Sequence, residues 1–332
     1  MTELPELESG EEIVERVGKA RDRLFTELEK KIVGQHDVIE QLVIAILARG
    51  HALLTGVPGL GKTLLVRSVA EAFSLSFKRI QFTPDLMPAD IFGTEVVEED
   101  PATGKRSFRF VPGPVFSNIL LADEINRTPP KTQAALLEAM EERQVTAAGE
   151  THSLKPPFFV LATQNPIELE GTYPLPEAQL DRFLFNVVMD YLPIEEEVKM
   201  VAATTSPAKE PLAEILSGEE VIALQDLVRK VPVSTDVADF AVRLTASSRP
   251  THKNASSLAK EKIKWGAGSR ASQSLVLAGK ARALLNGRYA VSLEDIRELA
   301  KPVLRHRIIP TFQAEADGVK SDDLIESLIA EL

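Results

Sequence analysis

Gly56-Val57-Pro58-Gly59-Leu60-Gly61-Lys62-Thr63 decides how this chain is read. Its spacing is Gly-x-x-x-x-Gly-Lys-Thr. The apolar run Ala52-Leu53-Leu54 leads into it as a buried strand, and residues 64–72 follow with apolar side chains at helical spacing. Strand, glycine loop and helix are the setting in which such a loop cradles phosphate. The glycines permit a tight backbone whose N–H groups converge, and the helix N-terminus adds a partial positive charge. Lys62 is placed to meet β- and γ-phosphates, and Thr63 to offer its hydroxyl to Mg²⁺. A glycine-rich turn that binds nothing is the plain alternative; the Lys-Thr pair and both correct flanks weigh against it.

The composition is that of an ordinary globular protein: 332 residues, 44% hydrophobic and 26% charged. That length exceeds one comfortable core, so two domains are expected. Cysteine is absent, which excludes disulfides, a thiolate zinc site and a cysteine nucleophile, and fits a reducing, cytoplasmic setting. The five histidines show no ligand spacing. A net charge of −11 disfavours nucleic acid as the general partner. No run approaches the ~18 apolar residues of a membrane span, and the acidic N-terminus lacks a signal-peptide pattern.

Residues 1–11 read as disordered. From 12 to 192 the chain alternates helices with short apolar strands, at 52–55, 77–82, 118–122, 158–162 and 185–189. Such runs between helices predict a parallel five-stranded sheet covered on both faces. Two inserts, near 85–116 and 145–154, read as hairpins, the second turning at Gly149. Phe108, Arg109 and Phe110 in the first insert are open to two readings, contact with a substrate or plain packing. Pro193 marks a linker, and 193–332 reads as a small all-helical unit. In it, Ser292 and Asp295 form a helix start, 249–268 is a long polar surface loop, and Trp265 packs into the helices.

A second chemical signal is Ile119-Leu120-Leu121-Ala122-Asp123-Glu124, an apolar strand ending in two carboxylates. In a phosphate-loop fold this strand is expected beside the one that feeds the loop. Asp123 would stand near Mg²⁺, and Glu124 could orient or deprotonate the attacking water.

With these motifs in place, the chain resembles the MoxR family of AAA+ ATPases. The resemblance rests on Gly56–Thr63, Leu120-Leu121-Ala122-Asp123-Glu124-Ile125-Asn126-Arg127, Leu136-Leu137-Glu138-Ala139-Met140, Ala162-Thr163-Gln164-Asn165-Pro166 and Glu170 through Phe183. It is dense from about 33 to 185 and weaker over the C-terminal helices. It implies an α/β fold, a P-loop αβα sandwich on a five-stranded parallel sheet followed by a helical lid. It implies ATP and ADP with Mg²⁺, the metal being held by Thr63 and Asp123. Nucleotide contacts would come from Val33, Gly34, Gln35, Gly56, Pro58, Gly59, Leu60, Gly61, Lys62, Thr63, Leu64 and Asp123.

The same resemblance assigns catalytic roles to Glu124, Asn165, Arg182 and Arg270. Asn165 matches a polar sensor near the γ-phosphate, though an Asn-Pro turn has the same appearance. Arg182 matches an arginine finger reaching a neighbouring copy's nucleotide, the alternative being an intrachain pair with Asp181 or Glu177. Arg270, in Gly266-Ala267-Gly268-Ser269-Arg270, matches a lid arginine acting on the same nucleotide, with Gly268-Ser269 where the family has Ser-Pro; Ser269 could cap that helix. A homo-hexamer acting on partner proteins, often ones with a von Willebrand factor A domain, is implied, with remodelling, maturation or metal insertion as the outcome. A magnesium-chelatase-like subunit and a helicase-like nucleic-acid motor are the alternatives within the clade.

Overall fold

A computed structural model describes residues 10–99, 106–165, 171–205, 211–253 and 255–332. Helices α1 (Gly10–Glu29) and α2 (His36–Leu47) precede strand β1 (Ala52–Gly56), and α3 (Lys62–Ala72) and β2 (Phe77–Gln81) follow it. Next come α4 (Pro88–Phe92), the hairpin β3 (Gly93–Glu99) and β4 (Arg106–Pro112), β5 (Ile119–Asp123) and α5 (Pro130–Glu142). The hairpin β6 (Gln144–Ala147) and β7 (Glu150–Ser153), then β8 (Phe159–Gln164), α6 (Glu177–Leu180) and β9 (Phe185–Met189) complete this part. The reading of residues 1–9 as disordered lies outside the described residues; Gly10 and Glu11 already belong to α1.

The five central strands are all parallel, in the order β2-β5-β8-β1-β9. The expectation that the Asp123 strand adjoins the loop strand is therefore corrected. The chain leaves β1 for the far edge at β2 and returns through β5, so β8 fills the gap between β5 and β1. Successive side chains on these strands alternate between two apolar cores, as the period of two requires. Ala52, Leu54, Ile119, Leu121, Phe159 and Leu161 face α1, α2, α3 and the C-terminal helices. Leu53, Leu120, Ala122, Val160 and Ala162 face the side of α4 and α5.

The C-terminal part holds α7 (Ile194–Thr205), α8 (Gly218–Lys230), α9 (Thr235–Ser247), α10 (Ser257–Lys262), β10 (Ile263–Trp265) and α11 (Ser269–Leu285). It ends with α12 (Leu293–Leu304), β11 (Ile309–Pro310), α13 (Phe312–Ala316) and α14 (Ser321–Ala330). Helices α8, α9, α10, α11, α12 and α14 share one continuous apolar core with the sheet. Gln225 of α8 donates to the Ile46 carbonyl of α2 at 2.7 Å, and Arg49 donates to Gln225 and pairs with Asp226.

Three local readings change. The stretch 249–268 is not a loop throughout: Ser256 caps α10, and β10 pairs with the distant β11. Trp265 does not pack inward, being 65% exposed. Gly268, not Ser269, is the N-cap of α11. The packing reading of the first hairpin holds for Phe110 and not for Phe108. Phe108 is 73% exposed, while Phe110 stacks on His152 of the second hairpin at 4.4 Å and meets Phe116 edge-on.

Two of the buried ionisable groups, His51 and Asp295, tie separate elements together. His51, at the start of β1, accepts from the Val160 N–H at Nδ1, so Nε2 carries the proton and donates to the Met140 carbonyl. Burial pushes its pKa down to about 4. Asp295 is fully buried at the start of α12, paired with Arg282 at 2.9 Å and Arg288 at 2.7 Å and bonded to Ser292. Burial raises its pKa, but the Arg288, Ser292 and Arg282 hydrogen bonds together outweigh that and bring it to about 2.

Replacing Asp295 by Ala strands two arginines beside an apolar core, and denaturant unfolding should show a loss of about 3 kcal/mol. The acid response follows from linkage. The unfolded chain takes up the His51 proton near its ordinary 6.5, while the folded chain resists until about 4. Stability is therefore lost as pH falls across that window. The Asp295 contribution is lost lower, between its ordinary 3.8 and about 2. A His51→Phe variant should show a shallower fall of melting temperature from pH 6.5 to 4 than the parent chain.

Candidate nucleotide site

β1 ends at Gly56, where β9 passes so close that a Cβ would sit 2.5 Å from the Met189 carbonyl oxygen. The chain then turns, and Gly61, at φ 78°, becomes the N-cap of α3. That left-handed conformation suits glycine. It leaves the first N–H groups of α3 without intrahelical partners, open to an anion. Lys62 is half-buried, its ammonium bonded to the Gly56 carbonyl. Burial lowers its pKa, partly offset by the charges of Asp123 and Glu124.

Lys62, Thr63, Asp123, Glu124 and Asn165 line one depression of about 330 Å³, with Pro58, Gly59, Gly61 and Leu64 at its rim. The parallel register explains this convergence. β1, β5 and β8 end at the same edge, so the loop, the two carboxylates and the residue after β8 meet there. A hydroxyl ties them: the Glu124 N–H donates to Thr163 Oγ1 at 2.9 Å, and that hydroxyl donates to Asp123 at 2.6 Å. Glu124 has a left-handed backbone, φ 56°, which lifts its carboxylate off the strand direction. Gln81 and Arg127 donate to that carboxylate at 2.6 and 2.9 Å. Asn165 is 7% exposed.

Three residues at this site were not singled out from the sequence: Arg79, Gln81 and Thr163. Arg79 makes a two-point contact with one Asp123 oxygen, at 2.9 and 2.7 Å. Only the pairing of β2 with β5, which sets Gln81 opposite Asp123, shows that these polar side chains face the carboxylates. A second chamber, of about 390 Å³, opens beside the loop. Val33, Gln35, Leu60, Tyr191, Leu192 and Met200 line it, and Pro58, Gly59, Gly61 and Leu64 belong to both chambers. Gly34, between Val33 and Gln35, lies under Leu192 and Glu196. A polar chamber joined to an apolar one fits a polyphosphate carrying a flat base.

The donor set also suits Mg²⁺. Among the described residues there is no cluster of three or more His, Cys, Asp or Glu that could hold a metal alone. Thr63 and Asp123 offer two hard oxygens in the phosphate chamber, and Mg²⁺ commonly takes one or two protein oxygens with the rest from phosphate and water.

Arg182 and Arg270 stand elsewhere. They line a different depression, of about 220 Å³, together with Arg49, Arg143, Arg229 and Arg307. Arg182 pairs with Glu141 at 2.9 Å, not with Asp181 or Glu177, and Arg270 reaches the same Glu141 at 3.1 Å. Arg270 is thus brought together with Arg182 and not with Lys62 of its own chain. The segment 305–307 anchors this region. Arg307, 6% exposed, donates to Asp181 and to the Phe183 carbonyl, and His306 meets that same carbonyl.

Residues 51–185 match the sequence model of the ATPase family associated with various cellular activities (AAA), and residues 255–328 match that of the AAA lid domain. The chain is 41% identical to Chaperone MoxR1 of Mycobacterium tuberculosis, over 93% of this chain and 80% of that protein. It is 32% identical to the MoxR protein of Paracoccus denitrificans over 90% of each. A solved structure of a candidate ATPase from Cytophaga hutchinsonii superposes with a TM-score of 0.86, at 40% identity and 96% coverage of both chains. With the phosphate loop, the paired carboxylates and the lid all present, the chain belongs to the MoxR family of AAA+ ATPases.

Proposed function

We propose that this protein hydrolyses ATP with Mg²⁺ at sites shared between adjacent copies, and uses the resulting motion to remodel or mature a partner protein. One observation carries the reading: the residues suited to hold and attack a triphosphate line one depression, and the two arginines suited to complete it line another. No single copy closes its own site, so the second half comes from a neighbour. Contacts between two different faces propagate head to tail and close into a ring when the rotation allows; family resemblance puts the number at six.

Bound ATP with Mg²⁺ would supply the reactive phosphoanhydride. Around it, Lys62 offers charge to the phosphates, while Thr63 and Asp123 offer oxygens to the metal. Glu124, held by Gln81 and Arg127, takes the proton of the attacking water, and Asn165 orients that water. Arg182 and Arg270 of the adjoining copy meet the charge that develops as the bond breaks. This differs from the family-based expectation for Arg270, which placed it on its own chain's nucleotide. Phe108, exposed on β4 of the first hairpin, is the side chain offered to a partner. Partners with a von Willebrand factor A domain and metal insertion follow from resemblance. Among the described residues no helix is long and apolar enough to cross a membrane.

Lys62→Ala should abolish binding of a fluorescent ATP analogue. Glu124→Gln should bind it normally and hydrolyse ATP at least ~10²-fold more slowly. Arg182→Ala should bind ATP and lose about 10³-fold in turnover. Mixing the inactive Glu124→Gln and Arg182→Ala proteins should restore part of the activity, because some shared sites then join an intact Glu124 to an intact Arg182. An arginine acting within its own chain would give no recovery.

A further inference from the structure

Glu141, in the last turn of α5, holds two cations that reach it from separate parts of the fold. Arg182 lies in the segment between α6 and β9, and Arg270 is the second residue of α11. Their side chains are 30% and 46% exposed, open to a neighbouring molecule, and both meet one carboxylate, at 2.9 and 3.1 Å. We propose that Glu141 is a positioning residue for ATP hydrolysis, setting the spacing at which Arg182 and Arg270 are presented to the nucleotide of the adjoining copy. This rests on the reading that those arginines act across an interface.

The electrostatics of the depression make such a residue necessary. Six arginines line it, and Glu141 and Asp181 are the carboxylates among its lining residues. Arg307 occupies one oxygen of Asp181 at 2.7 Å, and Arg270 reaches the other at 3.8 Å. Arg143 follows Glu141 by two residues, and its pKa is lowered by burial and then by the like charges of Arg49 and Arg229. Without Glu141, Arg182 and Arg270 would repel one another amid further positive charge. Their side chains would spread over many rotamers, and placement would be lost where it matters most.

A competing role is a latch that keeps the arginines away from phosphate. Magnitudes decide against it. Glu141 is 40% exposed, and an exposed ion pair shifts an equilibrium by a factor of about five at most. A charge-assisted hydrogen bond to phosphate in a closed interface is worth about tenfold or more. The phosphate therefore wins, and the carboxylate's lasting effect is geometry.

The test is steady-state ATPase kinetics of the full-length chain with Glu141→Gln, which keeps size and removes charge. Turnover should fall about fivefold, with KM, ATP-analogue affinity and melting temperature unchanged. In an Arg270→Ala background, single-turnover measurements should show Glu141→Gln costing less than a further twofold. Unchanged or faster turnover overturns the proposal, as does an equal loss in both backgrounds. A lower melting temperature with weakened ATP binding would assign Glu141 a structural role and also overturn it. Arg182→Ala separates the two readings: if that variant keeps full turnover, the shared-site reading fails. If it loses turnover while Glu141→Gln does not, only the positioning role fails.

Discussion

The parallel pairing of β1, β8 and β5 is the constraint on which the rest of the molecule depends. Leu161 lies opposite Ala52 on one side and Leu121 on the other, so the three strands run in step. Because they run the same way, all three end at one edge. Each of those ends carries a polar group that an apolar strand interior would not tolerate: the loop with Lys62, then Asn165, then Asp123 and Glu124. The apolar side chains before them fill two cores on opposite faces, which makes the register costly to shift. Function is thus placed where burial stops, at the carboxyl ends of the strands, as in other open α/β sheets.

Charge is distributed with equal purpose. The chain is acidic overall, at −11, yet gathers six arginines in one depression at some remove from its phosphate loop. Glu141, Asp181 and Asp226 neutralise part of this excess within the chain. Of the remainder, Arg143 and Arg229 are exposed to solvent. Asp295 and His51 serve a different purpose: both are buried, Asp295 tying α12 to α11 and the turn between them, His51 tying β1 to β8 and α5.

What could be read from the sequence was what is local. Gly56–Thr63 needs only its own spacing and its two flanks, and five short apolar runs give a parallel sheet directly. The strand order could not be read, because nothing within 119–123 states that β8 stands between it and β1. Arg79 and Gln81 were missed for the same reason, since each matters through a neighbour in the sheet and not through a motif; Thr163 lies within a quoted motif, but its bonds to Asp123 and Glu124 depend on β8 standing beside β5. The stretch 249–268 was misjudged because β10 is stabilised by β11, more than forty residues later. Trp265 misled differently: its apolar bulk suggests packing, but β10 turns it outward. For Arg182 and Arg270, a motif gave the identity of each residue, and only the fold gave their shared location.

Helix α5 has a further consequence. Near its start, the buried amide of Gln133 donates to the carbonyls of Ile125, Thr128 and Tyr173, which fastens it to the segment directly after Glu124. Near its end stands Glu141. Thirteen residues of helix make a rod of roughly 20 Å, stiff enough to transmit a tilt from one end to the other. On the shared-site proposal, the strand edge that carries Glu124 and the pair of cations offered to the next copy would be mechanically in series. Sites joined in this way around a closed assembly would not keep independent time: each event at one strand edge would be felt as a displacement at the next.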